Sequence, residues 1–199
     1  DMPGRLAAAS RFSWKIGGKG GHPDLEDHVA SPLIAWLNYH QKEILGAQCH
    51  WLGHRALKNP LDAWIYQEIM YSVRPDYIIE IGTKNGGSAL FLASICDLLQ
   101  HGNILALDLD HSGVKVSHPR IELFTGDCRD GAIISRVKDR VQGKKVMVIH
   151  DGDHTRDGVL RDLWIYAPLV SVGSYLIVED TVHAVKGFNQ NPNGKPGVF

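Results

Sequence analysis

The sequence predicts an α/β domain in which a mostly parallel β-sheet carries helices on both faces. Short and nearly continuous apolar runs recur at residues 77–81, 104–107, 121–124, 146–149 and 175–178. Strands of this kind are buried on both faces, as in parallel sheets. Segments typical of helices separate most of these runs, and four of the five runs contain or precede a carboxylate at their ends. Alternation of strands and helices is the signature of an α/β fold.

Four helices are predicted around these strands, over residues 60–73, 87–99, 131–141 and 155–169. In the first helix, one face carries large side chains at three- and four-residue spacing, and we expect that face to be buried. It consists of Leu61, Trp64, Ile65, Glu68, Ile69 and Ser72. Pro75 ends this helix. We expect residues 1–45 to form an N-terminal arm with a helical extension and residues 46–199 to form the α/β domain.

The composition excludes several classes of protein. The 199 residues are 44% hydrophobic and 22% charged, which suits a single domain with a sizeable core. The formal net charge of -1 offers no broad basic surface for nucleic acid. No apolar run approaches the roughly 18 residues that a membrane-spanning helix requires, so we expect no membrane partner. Cys49, Cys96 and Cys128 form no disulfide or zinc pattern, and a reducing, cytoplasmic setting is expected.

A glycine-containing loop, EIGTKNGGS at residues 80–88, joins the first predicted strand to a helix. Glycine lets the backbone turn tightly and approach a ligand closely, and the N-terminus of the next helix offers free N–H groups to an anion. The methionyl carboxylate of S-adenosylmethionine would suit this loop, as would a phosphate. The spacing is not GxGxxG, which disfavours a dinucleotide. The candidate cofactor residues in the loop are Glu80, Gly82, Thr83, Gly86 and Ser88.

Two further acids extend this candidate cofactor site. Asp108 ends the second predicted strand, where a carboxylate can accept hydrogen bonds from ribose hydroxyls. Asp127 follows the third strand, within Gly126-Asp127-Cys128, and could lie near an adenine amino group. The glycine loop alone indicates only a cofactor with an anionic group, and agreement with the strand-end acids strengthens the interpretation.

A second cluster of acids follows the fourth and fifth predicted strands. Asp151, Glu179 and Asp180 would form a hard oxygen site suited to Mg²⁺ or another divalent cation. Asp153 is an alternative ligand to Asp151. His154 lies three residues after Asp151 and could remove a hydroxyl proton as a general base. The simpler interpretation is that Asp151, Asp153 and Thr155 cap the next helix, but capping does not account for the Glu179-Asp180 pair.

Several of these motifs together resemble the cephalosporin hydroxylase-like family. The matching runs are WLG at 51–53, RP at 74–75, EIG at 80–82, NGGS at 85–88, HDGDHT at 150–155, YAPLV at 166–170 and VEDT at 178–181. The resemblance covers roughly residues 45–185. That family has the Rossmann-like class I methyltransferase fold, and it is similar to the metal-dependent sugar O-methyltransferases of macrolide and rhamnosyl pathways.

The resemblance implies an S-adenosylmethionine-dependent, Mg²⁺-assisted O-methyltransferase acting on a hydroxyl of a small molecule, a sugar or a natural product. It implies that Asp151, Glu179 and Asp180 bind the metal and that His154 is the base. It also places Glu80, Gly82, Ser88, Asp108 and Asp127 at S-adenosylmethionine. The family normally adds a helix and an antiparallel strand pair after the fifth strand. This sequence ends at Phe199 after a polar stretch, so we expect that strand pair to be missing through truncation or partial coverage.

Two other functions remain open from the sequence. A metal-dependent hydroxylase or hydrolase could use the same three acids, and a non-catalytic module could keep only the S-adenosylmethionine pocket. A 2-His-1-carboxylate iron site would need two suitably placed histidines, whereas these strand ends supply acids. The N-terminal arm and exposed tryptophans permit a homo-oligomer.

Overall fold

The computed structural model describes residues 33–184, which begin with a run of short elements. Helix α1 (Leu33–Tyr39), a π-helical turn (His40–Leu45) and α2 (Gly46–Gln48) follow one another directly. Strands β1 (His50–Trp51) and β2 (His54–Arg55) then form a small antiparallel hairpin. The predicted domain boundary at residue 45 therefore falls inside a continuous helical segment, and the division into arm and domain stays a prediction. Residues 1–32 of the predicted arm lie outside the described residues.

The centre of the structure is a five-stranded parallel sheet. Its strands are β3 (Tyr77–Ile81), β4 (Asn103–Asp108), β5 (Ile121–Thr125), β6 (Val146–His150) and β7 (Leu176–Val178). Their order across the sheet is β5-β4-β3-β6-β7. The chain therefore runs outward from the central strand to one edge and then crosses to its other side at β6. In open α/β sheets, ligands bind at such a reversal, outside the carboxyl ends of the strands.

Helices cover both faces of this sheet, as predicted. One apolar cluster includes Tyr66 and Met70 of α3 (Pro60–Val73) and Leu92 of α4 (Gly87–Leu99). The other includes Val137 of α5 (Gly131–Val141) and Tyr166 of α6 (Arg156–Tyr166). The predicted helix over residues 155–169 divides into α6 and a 3₁₀ turn at Ala167–Leu169. Pro168 accounts for the change, because it has no N–H to continue the α-helical hydrogen bonds.

The prediction of which face of α3 is buried is wrong. Tyr66, Met70 and Val73 are the buried residues, whereas Leu61, Trp64 and Ile65 are 75%, 70% and 55% exposed. The remaining predicted residues, Glu68, Ile69 and Ser72, are exposed except for a partly buried Ile69. Both faces of this helix carry large side chains at helical spacing, so spacing alone could not tell which face meets the sheet.

The final described element is a 3₁₀ turn at Thr181–Ala184, directly beyond β7 and the Glu179-Asp180 pair. Up to that point the described chain has no strand pair after β7, and residues 185–199 lie outside the described residues. Among the helices of residues 33–184, none combines the length and the apolar character needed to cross a membrane.

Candidate active site

A cavity of about 830 Å³ opens at the carboxyl ends of the parallel strands. Most of the predicted cofactor residues line it, as do Asp151, His154 and Asp180. The lining cofactor candidates are Gly82, Thr83, Ser88, Asp108 and Asp127. Glu80 and Gly86 are not part of this lining. The sheet thus brings the two predicted clusters, the glycine loop and the strand-end acids, to one cavity.

The loop between β3 and α4 needs glycine because other backbone segments pass within contact distance. A Cβ atom on Gly82 would lie 2.1 Å from the carbonyl oxygen of Asp151. Gly82 also has a φ of +95°, which residues with a side chain rarely adopt. A Cβ atom on Gly87 would lie 2.1 Å from the carbonyl oxygen of Arg55. The loop is therefore wedged between the start of the β6–α6 loop and the β2 strand, which fixes it at the cavity wall.

Backbone amides hold the two acids predicted to contact the cofactor. One oxygen of Asp108 accepts a hydrogen bond from the Lys84 N–H at 2.6 Å, and the other accepts from the Asp110 N–H at 3.3 Å. Asp127 accepts from the Arg129 N–H at 2.9 Å. Each carboxylate oxygen can accept a second bond, so both side chains can still receive a ligand hydroxyl or amino group from the cavity.

Asp151, His154 and Asp180 form the group best placed to hold a metal. One ligand atom from each lies within 4.8 Å of the others, and His154 Nε2 lies 3.5 Å from a carboxylate oxygen of Asp180. Burial raises the pKa of Asp151, the neighbouring Asp180 raises it further, and Lys58 opposes both effects. The two carboxylates fit a divalent cation that keeps other positions for water or substrate oxygens, and the His154 imidazole lies beside them as a base or as a further ligand.

Glu179, the third predicted metal ligand, is engaged by side chains from outside the sheet. Lys58 Nζ and the Tyr66 hydroxyl both donate hydrogen bonds to Glu179 Oε1. Lys58 also donates to Asp151 Oδ2 at 3.1 Å. Burial raises the pKa of Glu179, while Lys58 acts to lower it. Glu179 therefore lies beside the Asp151 carboxylate with a lysine ammonium between them.

Lys58 and Tyr66 were not among the predicted site residues. Lys58 belongs to no periodic pattern, because it lies in the connection just before the Asn59 cap of α3. Tyr66 does share a helical face with Met70 and Val73, and that spacing was a signal for its burial. Burial would lower the pKa of Lys58, but Asp151, Glu179 and Glu80 raise it above its usual value, so the ammonium stays charged.

Glu80 lies beneath the cavity rather than at its wall. Its side chain is fully buried, and the Ser88 hydroxyl and the Lys58 ammonium are the neighbouring groups that favour its charged form. Burial raises the pKa of Glu80 to about 7, against the opposing effect of Lys58. The structure therefore groups Glu80 with Lys58, Asp151 and Glu179, and any role toward a cofactor stays a prediction.

Asp153, the alternative ligand to Asp151, turns away from this group. It accepts hydrogen bonds from the N–H and the hydroxyl of Thr155. It also forms an ion pair with Arg129 at 3.1 Å. The backbone hydrogen bond from Thr155 is the main cause that lowers the pKa of Asp153 to about 2. Thr155 caps α6 by accepting from the Gly158 N–H. Thr155 is thus the cap, Asp153 orients Thr155, and Asp151 remains in the group with His154 and Asp180.

A partly buried network of ion pairs joins the β5–α5 connection to the β6–α6 connection and α6. Arg129 donates to Asp162 of α6 at 2.6 Å as well as to Asp153. The other oxygen of Asp162 lies 2.9 Å from Nε2 of His150, the last residue of β6. Burial would raise the pKa of Asp162, but hydrogen bonds from His150 and Arg129 lower it overall. This network was not predicted, since Asp162 and Arg129 belong to no motif in the sequence.

A second cavity, of about 400 Å³, lies on the other side of Glu179 and Asp180. It shares Gln41, Leu45, Leu57 and Asp180 with the first cavity. Its walls mix apolar side chains with polar and acidic ones, with contributions from the N-terminal helical segment, α3 and β7. The apolar residues are Leu37, Leu45, Leu57, Ile65, Ile69, Ile177, Val178 and Val182.

Comparison with known proteins identifies the family. Residues 44–197 match the family described as Rhamnosyl O-methyltransferase/CmcI. The chain belongs to this family. The resemblance to cephalosporin hydroxylase-like proteins is thereby confirmed.

Curated relatives include the rhamnosyl O-methyltransferases of mycobacteria. The protein of Mycobacterium leprae (strain TN) is 34% identical over 152 residues, which are 73% of this chain and 62% of that protein. The protein of Mycobacterium tuberculosis (strain ATCC 25618 / H37Rv) is 31% identical over 180 residues, 87% of this chain and 71% of that protein. The chain thus spans less than two thirds of the length of the M. leprae relative.

Solved structures confirm the class I methyltransferase fold. CmcI with Mg and SAM superposes with a TM-score of 0.58 at 21% identity, covering 84% of this chain and 69% of CmcI. The MycE methyltransferase from the mycinamycin biosynthetic pathway, in complex with Mg and SAH, gives a TM-score of 0.52 at 22% identity. That match covers 82% of this chain and 44% of MycE. At such identities the likeness concerns the fold.

Proposed function

We propose that this family member is an S-adenosylmethionine-dependent, divalent-metal-assisted O-methyltransferase that methylates a hydroxyl group of a small molecule. The observation that carries the proposal is the single cavity in which the Gly82 loop, Asp108 and Asp127 face Asp151, His154 and Asp180. A cofactor site and a candidate metal group on one cavity allow the methyl donor and the acceptor hydroxyl to meet. The names of the mycobacterial relatives support transfer onto oxygen.

The cofactor would be held by groups that the fold already positions. The backbone of Gly82 can approach it closely because no side chain intervenes. Asp108 would accept hydrogen bonds from the ribose hydroxyls, while Asp127 would face the adenine. Thr83 and Ser88 add hydroxyl groups to the same wall. The comparison structures that contain SAM or SAH, CmcI and MycE, support this assignment.

At the acceptor end, Asp151 and Asp180 would supply oxygen ligands to Mg²⁺, with Glu179 beside them. A bound divalent ion lowers the pKa of a coordinated hydroxyl and fixes its position. His154 would remove the hydroxyl proton at Nε2, and Asp180, 3.5 Å away, would stabilise the imidazolium that forms. The oxygen so deprotonated would attack the methyl group in line with the departing sulfur. Structures of CmcI and MycE that contain Mg support the metal assignment.

The acceptor class that fits best is a sugar hydroxyl on a larger molecule. The second cavity, which has both apolar and polar walls, joins the first at Asp180, so a sugar ring could reach Asp180 while another part of the acceptor occupied the second cavity. The rhamnosyl acceptor in the names of the relatives and the mycinamycin pathway of MycE support a sugar or natural product. We further propose a cytoplasmic location, which the three free cysteines support.

The test is transfer of label from S-adenosyl-[methyl-¹⁴C]methionine to rhamnosides with apolar aglycones, in Mg²⁺ and in EDTA. We expect labelled O-methyl product that depends on Mg²⁺ and on Asp151, with Asp139→Asn on the exposed face of α5 as the matched control. Oxygen or water consumption without labelled product would instead indicate a hydroxylase or hydrolase. Cofactor binding that Asp151→Asn leaves unchanged, without any turnover by the wild type, would indicate a binding module.

A further inference from the structure

Asp151, Asp153, Glu179 and Asp180 follow the carboxyl ends of β6 and β7 and are called the rim acids. Lys58 is a buried cation among them, and the proposed reaction assigns it no step. Its side chain is 3% exposed, and its Nζ contacts Asp151 and Glu179. Tyr66 shares the same Glu179 oxygen, and Nζ lies 5.7 Å from the centroid of the Tyr66 ring. Lys58 lines neither cavity. It therefore acts on any ligand in those cavities through the carboxylates that it contacts.

Asp151 is the residue through which Lys58 and a metal would be linked. Asp151 Oδ2 lies 3.1 Å from Nζ, and the same side chain belongs to the group with His154 and Asp180. A divalent ion on that group would lie only several ångströms from the ammonium. At the effective dielectric of partly buried sites, repulsion between the ion and the ammonium is large enough to lower the affinity of the site for the ion by at least about tenfold.

We propose that Lys58 is a positioning residue that sets the divalent-metal affinity of the rim. Its ammonium holds Asp151 and Glu179 together, offsets their charge, and thereby keeps metal binding weak and reversible. The inference rests on the metal part of the proposed function. It goes beyond that function by assigning the control of affinity to a side chain from the segment between the β1–β2 hairpin and α3.

The experiment compares Lys58→Met, Lys58→Arg and the wild type. Free Mn²⁺ is measured by electron paramagnetic resonance during titration, and Mg²⁺ is then added as competitor. We expect Lys58→Met to bind Mn²⁺ at least about tenfold more tightly than the wild type, and Lys58→Arg to remain close to it. Lys138→Met, at an exposed position on α5, removes the same charge far from the rim and should not change the affinity.

Thermal unfolding supplies a second readout that a merely structural lysine would not move. Lys58→Met leaves buried carboxylates without their cation, so its melting temperature without metal should fall. Saturating Mg²⁺ should then raise that temperature by more than it does in the wild type, because the metal replaces the missing charge. If Lys58→Met is unfolded in EDTA, recovery of helical circular dichroism on adding Mg²⁺ supports the proposal, and failure to recover overturns it.

The outcomes separate this inference from the proposed function. Mn²⁺ binding by Lys58→Met that equals or falls below that of the wild type overturns the role of Lys58 and leaves the metal site intact. A wild type that binds neither Mn²⁺ nor Mg²⁺ overturns the metal part of the proposed function, and the role of Lys58 falls with it.

Discussion

At the scale of single residues, the rim acids differ in what each one contacts. Asp153 accepts hydrogen bonds from Thr155 and pairs with Arg129. Glu179 accepts hydrogen bonds from Lys58 and Tyr66. Asp151 is shared between Lys58 and the group with Asp180 and His154. Four acids that looked equivalent along the sequence thus have different partners, several of them from distant segments of the chain.

His154 provides the sharpest residue-scale prediction. His154→Gln should lower kcat by about 100- to 10,000-fold, the usual contribution of a general base, and leave the Kd for S-adenosylmethionine unchanged. Steady-state kinetics and calorimetry check this. His118→Gln is the control, because His118 pairs with Asp97 just before β5, at the opposite end of the strands. Loss of Mn²⁺ binding by His154→Gln would contradict the base role and make His154 a metal ligand.

Asp153 gives a prediction about pH. Its pKa is lowered from 3.8 to about 2, mainly by the Thr155 N–H. An acid whose pKa is lower in the folded state stabilises that state above its unfolded pKa, and the contribution disappears as pH falls through the folded pKa. Asp153→Asn should therefore lower the free energy of unfolding at pH 7 by about 1 kcal/mol, as for a typical lost intramolecular hydrogen bond.

Urea unfolding over a pH series measures this effect. The difference between Asp153→Asn and the wild type should persist down to about pH 4 and vanish near pH 2. Asp139→Asn, an exposed acid within α5, should show little difference at either pH. A difference for Asp153→Asn that grew on acidification would mean that the carboxylate is not stabilised by Thr155 and Arg129.

At the scale of elements, helix α3 illustrates how burial selects one of two apolar faces. Its exposed face carries Leu61, Trp64 and Ile65, and its buried face carries Tyr66, Met70 and Val73. Only the second face places a hydroxyl where it reaches Glu179. The sheet and its acids, which lie far along the chain, decide the orientation of the helix.

We expect Met70→Ala to lower the free energy of unfolding by about 2–5 kcal/mol, because it leaves a cavity against the sheet. Trp64→Ala should change it by no more than about 0.5 kcal/mol, as for other exposed positions. Urea unfolding of the two variants checks the orientation of α3. A larger loss for Trp64→Ala than for Met70→Ala would mean that the predicted face is the buried one after all.

At the scale of the whole molecule, the parallel sheet brings the β3–α4, β4–β5, β5–α5 and β6–α6 connections to one cavity. The N-terminal helical segment also reaches this cavity through Gln41 and Leu45, so it belongs to the site. Trp64 and Trp164 are exposed on separate helices, and the homo-oligomer stays a prediction.

Binding of S-adenosylhomocysteine, the product formed from the cofactor, should therefore raise the free energy of unfolding of the whole domain. S-adenosylhomocysteine at about 100 times its Kd should add about 2.7 kcal/mol to the free energy of unfolding. For a domain of this size, that corresponds to a rise of about 5–10 °C in Tm. Asp108→Asn should reduce the rise, and Glu68→Gln on the exposed face of α3 should not. An undiminished rise in Asp108→Asn would remove Asp108 from the cofactor site.

The sequence by itself determined the five strands of the parallel sheet, the helices that cover it and their order along the chain, but not the β1–β2 hairpin. The apolar runs at 77–81 and 146–149 are strands within one residue of their predicted ends, and the helices at 60–73, 87–99 and 131–141 have the predicted bounds. These features follow from local side-chain patterns. The acids at the strand ends were predictable for the same reason, since parallel strands end at one edge of the sheet.

Only the tertiary structure decided what those acids contact. Lys58 meets Asp151 and Glu179 across 93 and 121 residues of chain, and Arg129 meets Asp162 across 33. No local pattern records such pairings, because an ion pair depends on where two segments pack. The same reason explains the exposed face of α3 and the position of Glu80 beneath the cavity.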